Sequence, residues 1–401
     1  MASISAADKK KYLDCAFKAA DWFVNSQLGE HRPDWNADRG RFLYYYYIPD
    51  KKHVPGINWT LGRGIFVTTE AYKLSGDKRY LDSAKLAANQ LASMQSMDSR
   101  FPLVHGMIRE HTPVDYRGGT LDGAQAASGF LMLEKVTGDP EYLRRGQAFC
   151  DYLLRTFSPI QGFTGWACIK DGVESVDYAK TGSSACIAQA IAIPLWHMYC
   201  RTGDERYLTP VLWAADRILE CQQPDGSFYT YPELTKDMKP QPRFNQHDGI
   251  GKGNARFQLW NDDAMMVVVI AAYRAAKIKR HLDAMVRYAK WIMKTAPSVR
   301  PYCAFPIQAN NILDIGKEAG QDWSGWVLKH LKKHLLDLQV QGTGDKAADG
   351  GFRGEDEEGN AGIFGGTGLD YVTTRTTCYA AGTLFRLSGK GTGAGFSANG
   401  L

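Results

Sequence analysis

No apolar run in this chain approaches the length of a membrane span, and its N-terminus has no apolar core of the kind a secretory leader needs. A helical membrane anchor is therefore not expected. The expected compartment is the cytoplasm, or the periplasm or exterior if a leader has been removed. The eight cysteines form no CxxC pair and no framework spacing, which argues against a disulfide scaffold. Cys15, Cys150, Cys186, Cys200, Cys221 and Cys378 lie in helical stretches, where a free thiol packs as a small apolar residue. Neither sign of charge dominates: 48 Lys and Arg face 43 Asp and Glu, a net charge of +5. Lys9-Lys10-Lys11 and Lys332-Lys333 are short basic runs on helical faces. A nucleic-acid surface is not expected, whereas a small anionic substrate is compatible. His330 and His334 have helical spacing but no Glu between them, so zinc is not expected. Gly249-Ile250-Gly251-Lys252-Gly253 lacks the preceding strand and following helix of a phosphate loop. No metal or cofactor is expected.

What the chain does have is a recurring corner. Leu74-Ser-Gly-Asp-Lys-Arg-Tyr-Leu81 returns as Val136-Thr-Gly-Asp-Pro-Glu-Tyr-Leu143 and as Arg201-Thr-Gly-Asp-Glu-Arg-Tyr-Leu208. The Gly suits the left-handed cap that ends one helix, and the Asp suits the N-cap of the next. An interval of roughly 65 residues is too long for the common short solenoid repeats. It suits helical hairpins closed into a ring.

Periodicity and cap signals predict outer helices near 8–28, 78–97, 141–156, 205–222, 279–295 and 322–340, each amphipathic. Inner helices are predicted near 59–74, 121–136, 183–201, 262–277, 307–319 and 373–387. These are small and apolar on every side, as buried helices are. Pro194 should kink the third inner helix, and the corner before the fifth is degenerate. The expected fold is all-α, an (α/α)6 toroid of six outer and six inner helices forming one domain over 1–401, with a flexible Gly-rich tail from about 389. Inner-to-outer connections are short, and outer-to-inner ones are long. The long loops should therefore gather on one face, above the N-terminal ends of the inner helices, where unpaired amides favour anions.

Residues at those helix starts are the candidates for chemistry. Asn, Asp, Ser and Thr there are also ordinary capping residues. Asp122, in Gly118-Gly119-Thr120-Leu121-Asp122-Gly123, exceeds that need, because Thr120 can cap. Asp262 and Asp263 exceed it too, because Asn261 can cap. Two carboxylates facing one cavity are the minimum for acid/base work on a glycosidic or enol-ether bond. His247, in the longest loop, can serve as a base or orienter, or simply as polar surface. Tyr44, Tyr46 and Trp59 offer faces for stacking on sugar rings, although four consecutive tyrosines also fit a packed strand. Arg63, Arg353 and Arg375 can clamp a carboxylate, and Asp38 lies in a polar and aromatic loop beside them.

The helical pattern over about 8–388 resembles that of the (α/α)6-toroid glycan-active enzymes. Thr120-Leu121-Asp122-Gly123, an apolar helix and then Thr137-Gly138-Asp139 resemble the unsaturated glucuronyl and rhamnogalacturonyl hydrolases. There an Asp at this place protonates a 4,5-unsaturated uronide and then activates water, which implies that role for Asp122. Cys221-Gln-Gln-Pro-Asp-Gly-Ser-Phe228, with Asn261-Asp-Asp-Ala-Met265, is similar to the helical pectate lyases and related uronate lyases. Arg63 stands where the hydrolases' second Asp motif is expected, and the lyases' calcium set is not evident. Together these imply hydrolysis of an acidic, uronate-containing oligosaccharide, with β-elimination as the alternative. A terpene-cyclase-like toroid lacks its Asp-x-Asp-Asp cluster here, and a non-catalytic glycan-binding toroid stands as a further alternative. Oligomeric state is open at this level.

Overall fold

The computed structural model describes residues 4–29, 38–178, 185–228, 233–234, 240–241, 265–299, 301–354, 364–393 and 397–399. The outer helices are α1 (Ala6–Ser26), α3 (Lys78–Met94), α5 (Pro140–Thr156), α7 (Glu205–Glu220), α9 (Lys279–Thr295) and α11 (Ser324–His334). The inner helices are α2 (Asn58–Ser75), α4 (Thr120–Thr137), α6 (Ala185–Thr202), α8 (Met265–Ala276), α10 (Phe305–Glu318) and α12 (Thr374–Leu387). Each inner helix packs on the next, α2 to α4 to α6 to α8 to α10 to α12, and α12 returns to α2. Each also packs on outer helices, most of them on two, with α1 closing against α12. The chain is an (α/α)6 toroid.

Burial explains the alternation. On α3 the buried residues Tyr80, Ser83, Ala84, Ala87, Ala88, Leu91 and Met94 make one stripe, whereas α4 is covered on nearly all sides. Small residues let the inner helices approach. A Cβ at Gly62 of α2 would lie 2.4 Å from the Gln125 carbonyl of α4, so only glycine permits this crossing.

The corners fold for local reasons. Gly76, Gly138 and Gly203 take φ of 73°, 70° and 72°, and Asp77, Asp139 and Asp204 accept the amides of Arg79, Glu141 and Arg206. The corner tyrosine then reaches the preceding outer helix. Tyr80 donates to Asp21 at 2.9 Å and Tyr207 to Asp151 at 2.9 Å. In the fourth corner, Lys277 adopts φ 53°, and His281 stands in the tyrosine's place, bonded to Asp216 at 2.9 Å. The latch is conserved in geometry although the residue changes.

The long connections form small sheets on the face of the inner-helix starts. β1 (Leu43–Tyr47) lies between β2 (Lys52–Pro55) and β8 (Tyr371–Thr373), tying the first long loop to the last. β3 (Arg117–Gly119), β4 (Trp166–Lys170) and β5 (Val173–Asp177) form a second antiparallel sheet. Short strands β6 (Glu233–Leu234) and β7 (Pro240–Gln241) also pair.

The Gly-rich tail makes contacts with the inner ring over its described residues. The Thr392 amide bonds Glu70 at 3.0 Å, Trp196 donates to the Ala398 carbonyl at 3.3 Å, and Ser397 and Ala398 are buried. The fifth inner helix forms despite its degenerate corner: α10 opens with Pro306 in its first turn, where proline's missing amide costs nothing. The third inner helix continues through Pro194. No helix among the described residues is long and apolar enough to cross a membrane.

Candidate active site

The mouth lies where α2, α4 and α12 begin. Neither α2 nor α4 has a side-chain cap: Ile57 and Gly119 hold their N-cap positions. Thr120 does not take the capping role expected of it. Its hydroxyl instead lies 3.1 Å from the Tyr152 hydroxyl and 3.2 Å from Thr164 Oγ1. Asp122 sits in the first turn of α4 at an open helix start.

The partner of Asp122 is Glu110, from the loop before β3. The two carboxyls lie close enough for Glu110 to raise the pKa of Asp122. Glu110 is buried, and its Oε2 accepts the Gly119 amide at 2.8 Å. Its backbone is fixed as well, accepting from Asn58 at 3.1 Å and donating to Arg117 at 3.2 Å. A Cβ on Gly119 would stand 2.7 Å from Oε2, so glycine makes room for this carboxylate. Burial pushes the Asp122 carboxyl well above the usual carboxylate range. The Glu110 carboxylate adds to this, while Arg63 opposes it. Asp122 keeps part of its surface open. Crowding by protein atoms raises the pKa, while the opening leaves a ligand access.

Arg63 is buried on α2, directly after the Gly62 crossing. Its Nε donates to Gln125 Oε1 at 2.7 Å, and Nη2 shares that oxygen. Its guanidinium lies over the Trp59 ring at 4.4 Å and the Tyr379 ring at 4.6 Å. Arg375, in the first turn of α12, approaches the same Tyr379 ring at 6.0 Å. Tyr44 packs edge-on against Trp59, with centroids 5.1 Å apart, and both are partly exposed. At the rim beside Gly119, the exposed Trp166 carries Arg117 at 4.7 Å. Aromatic faces, fixed guanidinium groups and a carboxyl of raised pKa thus meet in one opening.

The structure therefore assembles Asp122, Arg63, Trp59, Tyr44 and Arg375. It does not place the other described candidates there. Tyr46 is buried in the main core, with its hydroxyl given to Asp345, whereas Tyr44 packs with Tyr45 and Tyr47; the register irregularity between Leu43 and Tyr45 breaks the simple alternation that would put Tyr44 and Tyr46 on one face. Asp38 is fully buried, with Oδ1 3.9 Å from Arg41 Nε. Arg353 holds the Leu369 carbonyl. Asp262, Asp263 and His247 lie outside the described residues. Sequence reasoning missed Glu110, Gln125 and Tyr379. Gln125 and Tyr379 were legible in principle, as they lie one helical turn beyond Asp122 and Arg375. Glu110 sits in an irregular loop and carried no such signal. Among the described residues, no three His, Cys, Asp or Glu side chains converge as a metal site.

The fold is that of known glycan-cleaving toroids. An unsaturated glucuronyl hydrolase specific for heparin is similar, with a TM-score of 0.67 and 15% identity over 96% of this chain and 100% of that one. The unsaturated glucuronyl hydrolase of Bacillus sp. GL1, responsible for the degradation of glycosaminoglycan, gives 0.65 and 17% over 94% and 96%. A family 76 glycoside hydrolase from a bovine Bacteroides thetaiotaomicron strain gives 0.64 and 13% over 94% and 78%. The family model "Beta-L-arabinofuranosidase, GH127 catalytic domain" matches residues 196–302, from within α6 to just before α10. No curated protein matches the chain.

Proposed function

We propose that this protein is a glycoside hydrolase of the (α/α)6-toroid class, acting on an acidic, uronate-containing oligosaccharide through Asp122. The observation that carries this reading is the placement of Asp122 at a helix start against buried Glu110 and beside Arg63. Two neighbouring carboxyls in a crowded site cannot easily both ionise, which favours the protonated form of Asp122. Asp122, the more open of the two, is the one that meets substrate, and Glu110 is a positioning residue that keeps it protonated. The glucuronyl hydrolase and glycosidase neighbours support glycan hydrolysis as the reaction class.

Asp122 donates its proton to the glycosidic oxygen or, for a 4,5-unsaturated uronide, to the enol-ether double bond. The resulting carboxylate then takes a proton from the attacking water, so the residue ends as it began. Arg63 and Arg375 hold the substrate carboxylate, and the N-terminal poles of α2 and α4 add to the positive field. Tyr44 and Trp59 stack on the ring. Acidity of the substrate rests on these two guanidinium groups.

A screen of uronate oligosaccharides, following ultraviolet absorbance and reducing ends together, tests the proposal. Loss of the enol-ether band or new reducing ends without it supports hydrolysis. Appearance of the band would show β-elimination instead. Cleavage of neutral oligosaccharides alone would remove the acidic substrate.

A further inference from the structure

The opposite face of the ring holds a second pocket. It lies between the C-terminal ends of α4 and α6, with a volume of about 340 Å³, partly enclosed by Leu131, Glu134, Lys135, Gly138, His197 and Arg201 together with Cys200. This volume is at the small end of ligand pockets and suits one sugar ring or a molecule of that size.

His197 is the reason to read it as a site. Its side chain is 2% exposed, lines the pocket, and has no hydrogen-bond partner at either ring nitrogen among the described residues. Buried polar groups are normally paired, and an imidazole with both nitrogens unmet costs stability unless something fills them. Burial and the nearby Lys135 charge push its pKa down to about 3, so the ring is neutral and offers one donor and one acceptor. A hydroxyl group, which both donates and accepts, is its natural complement.

The charges at the lip indicate what else the ligand carries. Glu134 is already neutralised by Arg201 at 3.0 Å. Lys135 makes no ion pair or hydrogen bond among the described residues. Lys135 and Arg201 each stand in the last turn of a helix, facing its negative pole, and Arg201 is also paired with Glu134. Among the described residues Lys135 is therefore the lip cation without a carboxylate partner, next to a hydroxyl-seeking imidazole.

The geometry points to a binding site for a hydroxylated carboxylic acid of monosaccharide size, its carboxylate on Lys135 and a hydroxyl on His197. This site is separate from the mouth and stands whether or not Asp122 cleaves glycans.

Titration calorimetry with D-glucuronate as the probe tests it, with D-glucose as the uncharged control. The full-length protein is expected to bind glucuronate at this pocket, and to do so equally when the mouth is impaired by Arg375→Met. His197→Phe and Lys135→Met should each weaken that binding at least tenfold. Lys135 is exposed, so its variant keeps the fold even if His197→Phe does not, and melting temperatures check both. In protein labelled with ¹⁵N-histidine, the His197 ring resonances should shift on titration. Absence of binding, undiminished binding in the Lys135→Met protein, or equal binding of D-glucose would each overturn the assignment.

Discussion

Asp122 and Glu110 bring their carboxyls together, although one comes from a helix start and the other from a loop. The helix pole that would favour ionised Asp122 is outweighed by burial and by the second acid, which raise its pKa. That balance leads to the first expectations.

Asp122→Asn should lower kcat by about 10²–10⁴-fold, the usual contribution of a positioned acid. It should also stabilise the fold near neutral pH. A carboxyl whose folded pKa is raised favours the folded state below its unfolded value, and that advantage is lost as pH rises toward the folded value. Asparagine removes the loss. Melting temperatures from acid to neutral pH would check this: the variant's advantage should grow as pH rises. An unchanged melting temperature with full activity would contradict both roles of the residue.

Glu110→Gln should move the alkaline limb of the pH–rate profile to lower pH. Activity needs protonated Asp122 and declines as pH passes its raised pKa; removing the neighbouring charge lowers that pKa. Gly119→Ala should shift the limb the same way, because its methyl group displaces the Glu110 carboxylate. The overpacking should cost about 1–3 kcal/mol of stability. Rate profiles with denaturant melts would separate the two effects.

Tyr44 and Tyr46, which pack in different clusters, should behave differently. Tyr44→Ala, like Trp59→Ala, should raise KM while leaving the fold intact. Tyr46→Phe removes only the bond to Asp345, so it should leave KM unchanged and cost about 0.5–1.5 kcal/mol. A KM effect from Tyr46→Phe would return that ring to the site.

The corner latches should be stabilising and separable from activity. Tyr80→Phe and Tyr207→Phe each delete one bond to the preceding outer helix, at about 0.5–1.5 kcal/mol apiece. The sites are far apart, so the double variant should show the sum in denaturant melts.

Removing residues 397–401 should destabilise the protein and shift tryptophan emission to longer wavelength. The truncation takes away the carbonyl that holds the Trp196 indole and uncovers the floor where Ser397 and Ala398 pack. Identical emission and melting temperature would mean the tail contributes nothing.

Much of the fold was legible because its causes are local. Helical periodicity marked the twelve α-helices of the described residues, and Gly-Asp pairs marked three corners, since a left-handed cap and an amide acceptor depend on a few neighbouring residues. The fourth corner escaped because Lys277 and His281 perform the same geometry with different side chains. Asp122 stood out because an acid among small apolar residues is costly unless it is used.

The sequence by itself determined the helices, their alternation of exposed and buried types, and the face on which the long loops gather. Only the tertiary structure decided that Glu110 meets Asp122, that Arg63 lies between Trp59 and Tyr379, and that Tyr46, Asp38 and Arg353 serve the scaffold. It also decided that a Gly-rich tail is held under the ring by Trp196 and Glu70. Periodicity records how each residue sits on its own element. Which side chains meet across the mouth depends on how closed helices and loops bring distant segments together, and no spacing along the chain encodes that.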